Sequence, residues 1–164
     1  MIRIGLLSDT HSFLDEQIFT HFANCDELWH AGDFGNKEVI EKLAAFKPLK
    51  GVYGNIDDQS IRHSFPENLI FQCEDVKVFM THIGGYPPKY NSRTKPLIKE
   101  LQPRLFISGH SHILKIMYDE TTNCLHMNPG AAGKTGYHRV RTLVRFTIDG
   151  ADIANCEVIE LGKR

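Results

Sequence analysis

Five short polar clusters recur along this chain, and each directly follows an apolar run with the composition of a β-strand. They are Asp9-Thr10-His11, Gly32-Asp33, Gly54-Asn55-Ile56-Asp57, Thr81-His82 and Gly109-His110-Ser111-His112. A single cluster of this kind indicates no more than a turn, because patterns so short arise by chance. All five together constrain the fold, because the carboxyl ends of strands in an open α/β sheet form the edge where ligands bind. These polar side chains are therefore expected to surround one edge.

The N-terminal third of the chain alternates between strand and helix patterns. Strands are predicted over Ile2 to Leu7, Asp26 to Ala31 and Leu49 to Tyr53, which are short, mainly apolar runs. Helices are predicted over Leu14 to Ala23 and Lys37 to Phe46, where apolar residues recur at helical spacing. A strand, a helix and a strand in succession form a βαβ unit, so this part is expected to be a parallel α/β layer.

The rest of the chain is richer in strands. A polar loop is predicted from Gly54 to Glu67, and a hairpin is predicted from Asn68 to Cys73 with Val76 to Thr81. A second loop is predicted around Pro87, followed by a helix over Pro96 to Leu101. Further strands, the last four antiparallel, are predicted over Arg104 to Ser108, Ile113 to Tyr118, Leu125 to Met127, Thr142 to Ile148 and Ile153 to Glu160.

Length and composition narrow the class of protein. A chain of 164 residues with 41% hydrophobic and 24% charged residues fits one domain, residues 1–164. Lys plus Arg (19) nearly balance Asp plus Glu (20), and no basic and aromatic residues interleave, so no dedicated nucleic-acid surface is expected. No signal peptide or membrane span is recognisable, so a cytoplasmic location without a membrane partner is expected. Inert thiols are expected at Cys25, Cys73, Cys124 and Cys156, which form no CxxC pair.

The residue types at the expected edge favour a metal site. Residues two apart in an extended segment point the same way, so Asp9 with His11, and His110 with His112, can each reach one pocket. A mixture of oxygen and imidazole ligands suits manganese, iron, zinc, nickel or cobalt better than calcium. Seven candidate ligands are too many for one ion but fit two ions that share a carboxylate. They are Asp9, His11, Asp33, Asn55, His82, His110 and His112. Such a centre keeps a net positive charge and therefore favours an anionic substrate.

The ordered set of motifs resembles the calcineurin-like metallophosphoesterases, and among them the small bacterial and archaeal phosphodiesterases. The motifs are Asp9-x-His11, Gly32-Asp33, Gly54-Asn55-x-Asp57, His82 and Gly109-His110-x-His112, followed by Asn128-Pro129-Gly130. They extend over residues 9–130, so the resemblance covers essentially the whole chain. It implies an α/β fold in the form of a four-layer α-β-β-α sandwich, with two facing mixed sheets flanked by helices.

The resemblance also implies a role for each ligand. The first metal ion would be bound by Asp9, His11 and His112, the second by Asn55, His82 and His110, and Asp33 would bridge the two. Manganese or nickel is favoured, and zinc, iron and magnesium are compatible. A hydroxide between the ions would attack phosphorus in line, so catalysis is expected to depend on Asp33, Asn55 and His82, which hold the ions.

Two positions depart from the family pattern. Many members have a histidine after the Asn of the third motif, placed to protonate the leaving oxygen, whereas this chain has Ile56. Because isoleucine cannot donate a proton, esters with leaving groups of low pKa are expected to react best. Ile83-Gly84-Gly85 follows His82 where many relatives have Gly-His, so the substrate wall at this point is undefined.

Polar residues outside the ligand set have less specific roles. His30 and Asp57 are expected either to support the ligands, Asp57 by holding the Asn55 loop, or to be ordinary structural residues. His63, in the loop after the Asn55 motif, is a candidate proton donor. Arg93 and Lys134 are expected either to be solvated loop charges, which is the commoner outcome, or to meet a phosphate. Surface or structural roles are expected for His21, His126 and His138.

Two classes of function remain open. The first is a dimetal phosphoesterase that hydrolyses phosphodiesters, or also phosphomonoesters, with a small phosphate ester as its substrate. The second is a non-catalytic protein-interaction scaffold, because the retromer subunit of the same fold is similar and is regarded as a binding module. The complete ligand set favours the enzyme. The oligomeric state is open, and a homo-oligomer is compatible with the sequence.

Overall fold

Two five-stranded sheets form the centre of the computed structural model, which describes residues 1–164. The first sheet contains β1 (Ile2–Leu7), β2 (Glu27–His30), β3 (Leu49–Gly51), β11 (Val140–Asp149) and β12 (Asp152–Lys163), in the order β12-β11-β1-β2-β3. Strands β1, β2 and β3 are parallel, whereas β11 pairs antiparallel with both β1 and β12. The predicted parallel N-terminal layer is confirmed, and two C-terminal strands extend it.

The second sheet is also mixed. It contains β4 (Asn68–Cys73), β5 (Val76–Thr81), β8 (Leu105–Ile107), β9 (Leu114–Asp119) and β10 (Cys124–Pro129), in the order β4-β5-β8-β10-β9. The predicted hairpin of β4 and β5 is confirmed, and its register places Cys73 opposite Val76. Strand β8 lies parallel to both β5 and β10, so its carboxyl end faces the same edge as that of β5.

Four helices cover the outer faces of the sheets: α1 (Gln17–His21), α2 (Lys37–Phe46), α3 (Gln59–Ser64) and α4 (Thr94–Leu101). On the first sheet, α1 and α2 bury Ile18 and Leu43 in one cluster with Leu28 of β2. On the second sheet, α4 buries Ile98 against Phe79 and Phe106. None of these helices has the length and apolarity that crossing a membrane requires.

The largest core lies between the two sheets. It contains 15 buried residues, among them Ile4 and Trp29 of the first sheet and Val78 and Met127 of the second. Residues of alternate strand positions fill this space, while the helices cover the opposite faces, which gives layers in the order helix, sheet, sheet, helix. The predicted four-layer sandwich is confirmed.

The structure corrects the starts of two helices. Helix α1 begins at Gln17 instead of Leu14, because the carboxylate of Asp15 accepts the N–H of Gln17 at 2.9 Å and also binds Arg141 at 2.6 Å. Helix α4 begins at Thr94, two residues before the predicted start.

Both predicted loops contain regular structure. The segment from Gly54 to Glu67 includes α3, which begins where the side chain of Asp58 accepts the N–H of Ile61 at 3.1 Å. Helix α3 has only 6 residues, too few for a periodic apolar pattern. The loop around Pro87 includes a small hairpin of β6 (Gly85–Tyr86) and β7 (Lys89–Tyr90).

The four cysteines form no disulfide. Three of them, Cys25, Cys73 and Cys124, are buried, and Cys156 is exposed.

Candidate metal centre

Loops that follow strands of both sheets bring the seven candidate ligands to one edge of the sandwich. The first sheet supplies Asp9 and His11 after β1, Asp33 after β2 and Asn55 after β3, and the second supplies His82 after β5 and His110 and His112 after β8. The sandwich arrangement therefore places ligands from two separate sheets around a common space.

The ligand atoms form two groups. Those of Asp9, His11 and His112 all lie within 4.8 Å of one another, and so do those of Asp33, His82 and His110. Oδ1 of Asn55 lies 3.1 Å from Nε2 of His82 and 2.9 Å from Nδ1 of His110, which adds it to the second group.

Asp33 lies between the two groups. Its Oδ2 atom is 3.3 Å from Nε2 of His11 and 3.2 Å from Nε2 of His82. Its Oδ1 atom accepts the backbone N–H of Ile56 at 3.1 Å, which fixes the orientation of the carboxylate. One oxygen of Asp33 thus faces a histidine of each group, as a bridging ligand requires.

The backbone directs these side chains inward through turns. The φ angles of Asp9, His11, Asp33, His110 and His112 are 54°, 46°, 59°, 67° and 59°, all in the left-handed region. The prediction that paired ligands lie on extended segments is therefore wrong, although the pairs do reach the same edge. Left-handed backbone at non-glycine residues costs roughly 1–2 kcal/mol per residue, so the surrounding contacts must stabilise this conformation.

Two motif glycines are required by close approach to ligands. A Cβ atom on Gly54 would overlap Oδ1 of Asp33, and a Cβ atom on Gly109 would overlap Oγ of Ser8 and approach Oδ2 of Asp9. The same Oδ2 atom accepts the Ser8 hydroxyl at 2.6 Å and the His110 N–H at 3.1 Å. Gly54 therefore allows two loops of the first sheet to meet at Asp33, and Gly109 allows a loop of the second sheet to reach Asp9.

Hydrogen bonds from the rest of the protein orient His82. Its Nδ1–H donates to the backbone oxygen of Ala31 at 2.7 Å, so Nε2 is the nitrogen that faces Asp33 and Asn55. Metal-binding histidines commonly donate their second ring N–H to a carbonyl in this way. The local geometry of His82 is therefore that of a metal-binding imidazole.

The two buried carboxylates of the centre perturb the pKa values of their neighbours and are themselves perturbed. Burial alone would raise the pKa of Asp33 and of Asp9, but the neighbouring histidines outweigh it and hold both values far below the usual range. Contact with Asp33, and then with Asp9, raises the pKa of His11 to about 9. Two buried carboxylates thus attract positive charge into this space.

The donor set fits divalent metal ions. Oδ1 of Asp9 and Nε2 of His11 are buried and have no hydrogen-bond partner in the protein. Buried polar atoms are rarely left in this state, and carboxylate oxygen with imidazole nitrogen is a ligand combination that divalent transition metals prefer.

Comparison with known proteins gives the family. The family model of the calcineurin-like phosphoesterase superfamily domain matches residues 2–151. The chain belongs to this family. It is 31% identical over 134 residues to a probable metallophosphoesterase of Methanocaldococcus jannaschii, an alignment that covers 78% of this chain and 67% of the relative. The predicted resemblance is confirmed.

Solved structures share the fold. A structure described as a novel archaeal phosphodiesterase superposes with a TM-score of 0.77 at 23% identity, covering 98% of this chain and 100% of the other. Vps29 from Entamoeba histolytica in complex with Zn²⁺ superposes with a TM-score of 0.75 at 16% identity, covering 97% of this chain and 99% of the other.

Asp57 and His30 support the loops that carry the candidate ligands. Asp57 is buried and accepts three backbone N–H groups, those of Phe34, Gly35 and Gly54, at 3.2, 2.9 and 2.8 Å. It therefore fixes the Asp33 loop to the Asn55 loop. Nδ1 of His30 accepts the N–H of Gly32 at 3.1 Å, so its Nε2–H donates to the Thr10 hydroxyl at 3.0 Å.

Neither position considered for a proton donor supplies one at the centre. Ile56 is 45% exposed beside Asn55, and an isoleucine side chain donates no proton. His63 is exposed on α3 and lines neither of the two cavities beside the centre, whose volumes are about 590 and 310 Å³. Arg93 lines the larger cavity together with Asn55 and His82.

His138 lies at the centre although no motif marks it. Its ring centroid is 5.2 Å from that of His112, and its Nε2 donates to the backbone oxygen of Gly133 at 2.8 Å. The sequence gives no signal for this contact, because His138 follows a loop of irregular structure rather than a strand. The structural role expected for His138 therefore includes packing against His112, a candidate ligand.

Proposed function

We propose that this chain is a dimetal-dependent phosphoesterase that hydrolyses phosphodiesters, and also phosphomonoesters with good leaving groups. The position of Asp33 carries the proposal, because one of its oxygens faces His11 of the first group and His82 of the second. A carboxylate in this position is what a centre of two ions needs. The family of the chain supports the same reaction class.

The seven ligands have assigned roles in this proposal. The first ion would be held by Asp9, His11 and His112, the second by Asn55, His82 and His110, and both by Asp33. When bound, two such ions polarise phosphoryl oxygens and lower the pKa of a water molecule. Manganese or nickel is proposed as the native metal, with zinc, iron and magnesium as further candidates that the ligand types accept.

The protein itself would hold the ligands in place and orient the substrate. Asp33 is fixed by the N–H of Ile56, and His82 is fixed by the Ala31 oxygen, so neither side chain needs to reorganise during the reaction. Arg93 lies exposed in the larger cavity, where its guanidinium can bind a phosphate oxygen of a small phosphate ester. Because Ile56 donates no proton, the leaving oxygen must be a weak base.

Hydrolysis with and without metal tests the proposal. Chelator-treated protein should be inactive on bis-p-nitrophenyl phosphate and regain activity with manganese or nickel. Asp33→Ala should reduce the reconstituted activity to background while the fold is retained by circular dichroism, and Asp152→Ala, an exposed aspartate at the start of β12, should not. Activity retained in Asp33→Ala would contradict the assignment of this residue.

The alternative is a binding module without catalysis. The similarity in fold to Vps29 supports it, and so does the position of Ile56 where many relatives have a proton donor. A protein that binds two ions but hydrolyses neither bis-p-nitrophenyl phosphate nor p-nitrophenyl phosphate would favour this alternative over the enzyme.

A further inference from the structure

A cavity of about 310 Å³ adjoins the second group of ligands. We call it the lysine pocket, and the residues that define it here are Tyr86, Lys89, His110, Ser111, Lys115 and His126. The hairpin of β6 and β7 forms one wall, and β9 and β10 form the other. Because His110 belongs both to this pocket and to the second ligand group, a molecule bound at the centre can extend into the pocket.

The charge of the lysine pocket is positive and uncompensated. No aspartate or glutamate lines it. Neither Lys89 nor Lys115 takes part in any of the ion pairs of the structure. Both lysines flank Tyr86: Lys89 is its partner across the hairpin, and Nζ of Lys115 lies 3.6 Å from its ring centroid.

His126 lies buried in this pocket. It is 1% exposed, and neither ring nitrogen has a hydrogen-bond partner. Burial lowers its pKa to about 4, so the ring is neutral. A neutral imidazole has one N–H donor and one acceptor, and polar atoms buried without partners are rare in proteins.

We propose that the lysine pocket binds a second anionic group of the substrate, which lies between Lys89 and Lys115 and accepts a hydrogen bond from His126. The inference rests on the proposed function, because it assigns the substrate class of that site. The substrate would be a phosphate ester whose organic arm carries a carboxylate or another phosphate. Two ammonium groups and one neutral donor provide charge-assisted hydrogen bonds for such a group.

Calorimetric binding to the zinc-loaded full chain tests this inference with two matched ligand pairs. The first pair is 3-phosphoglycerate and glycerol 3-phosphate, which differ by one carboxylate. The second is fructose 1,6-bisphosphate and fructose 6-phosphate, which differ by one phosphate. The ligand with the additional anion is expected to bind about tenfold more tightly in at least one pair, and the pair that responds identifies the anion. Equal affinities within both pairs would overturn the inference.

Variants that remove lysine charges show which residues produce the preference for the additional anion. In Lys89→Gln/Lys115→Gln the preference for the additional anion should disappear, and the exposed position of Lys89 and the half-buried position of Lys115 allow both changes. Lys95→Gln/Lys99→Gln, which removes two exposed lysines on α4 outside the pocket, should keep the preference. Loss of the preference in both variants would assign it to net charge and overturn the inference.

NMR spectroscopy tests the role of His126 in binding the additional anion. The side-chain ¹⁵N resonances of His126 should shift when 3-phosphoglycerate or fructose 1,6-bisphosphate binds, and should shift less with glycerol 3-phosphate or fructose 6-phosphate, which lack the additional anion. Unchanged resonances at saturation would remove His126 from the site.

The two proposals fail in different ways. Calorimetry reports binding even in a protein that hydrolyses nothing, so a preserved preference without turnover would contradict only the proposed function. Turnover of bis-p-nitrophenyl phosphate with equal affinities within both ligand pairs would contradict only the lysine pocket.

Discussion

Oδ2 of Asp57 accepts the backbone N–H of Gly54 at 2.8 Å, across the turn that presents Asn55. The same carboxylate accepts the N–H groups of Phe34 and Gly35, in the loop that presents Asp33. One buried side chain therefore sets the distance between the bridging candidate and a ligand of the second group.

Asp57→Asn is expected to destabilise the protein and weaken metal binding. An amide has one acceptor oxygen, and its NH₂ group would face backbone donors, so about 2–3 kcal/mol of unfolding free energy should be lost. Affinity for metal should fall by about 10- to 100-fold, as is typical of residues that orient ligands. Urea denaturation and metal titration measure the two effects. The control is Asp58→Asn, because Asn caps helix α3 as well as Asp does. Equal effects of the two changes would contradict this role of Asp57.

Single histidine substitutions should separate the two ions. His112→Ala removes a ligand of the first group, and His110→Ala removes a ligand of the second. Each variant is expected to retain about one ion per chain where the unchanged protein retains two. Metal analysis after gel filtration measures this, with His21→Ala on α1 as the control. Two tightly bound ions in either variant would contradict the grouping.

Metal binding should stabilise the fold. A ligand at 100 times its Kd adds about 2.7 kcal/mol per site to the unfolding free energy. For a chain of this size, that corresponds to an increase in Tm of roughly 5–10 °C per site. Differential scanning calorimetry with chelator and with manganese measures the change, and Asp33→Ala should show a much smaller one. An unchanged Tm would indicate that no ion binds.

The unfolding free energy should fall in acid through His126. Its pKa drops from 6.5 to about 4 in the folded state because of burial, so the unfolded chain binds more protons between these values. The stability that the neutral ring provides is complete above pH 6.5 and is lost as the pH falls to 4, by on the order of 3 kcal/mol. His126→Gln does not titrate and should lack this component. The difference between the two proteins, measured by urea denaturation with chelator at several pH values, isolates it. Parallel pH profiles would contradict the prediction.

Ile56→His should supply the missing proton donor. Ile56 is 45% exposed beside Asn55, so the imidazole fits without repacking the core. Hydrolysis of alkyl phosphate esters, whose leaving oxygens need a proton, should increase by about tenfold or more, while bis-p-nitrophenyl phosphate should change little. Ile113→His, at a position that is 59% exposed and follows His112, is the control. Equal changes for alkyl and aryl esters would contradict the role assigned to position 56.

The parallel α/β layer, and the edge at which the seven candidate ligands meet, could be predicted from the sequence because both depend on strands. Apolar runs such as Ile2–Leu7 are long enough to show their period, and the ligands directly follow such runs. The backbone conformation of the ligand loops could not be predicted, because the left-handed residues Asp9, His11 and Ser12 donate backbone hydrogen bonds to residues distant in sequence. Their acceptors are the backbone oxygens of Gly32, Asp33 and Phe34.

Residues that act through tertiary contacts were not recognised in advance. His126 and His138 lie far along the chain from the motifs, and only the packing of β10 and of the following loop brings them to the pocket and to His112. Helix α3 was missed for a local reason, since it has a single buried apolar residue, Ile61, and no repeat to detect.

The candidate ligands are divided between the two sheets, so bound metal would report on separation of the sheets. Because His82, His110 and His112 belong to one sheet and the remaining four ligands to the other, each group spans the seam of the sandwich. Separation of the sheets must therefore break both groups at once. The rate at which bound metal exchanges with a free isotope would then include a contribution from these opening events. At high chelator concentration, a slow limiting rate of metal loss would measure how often the two sheets separate at this edge.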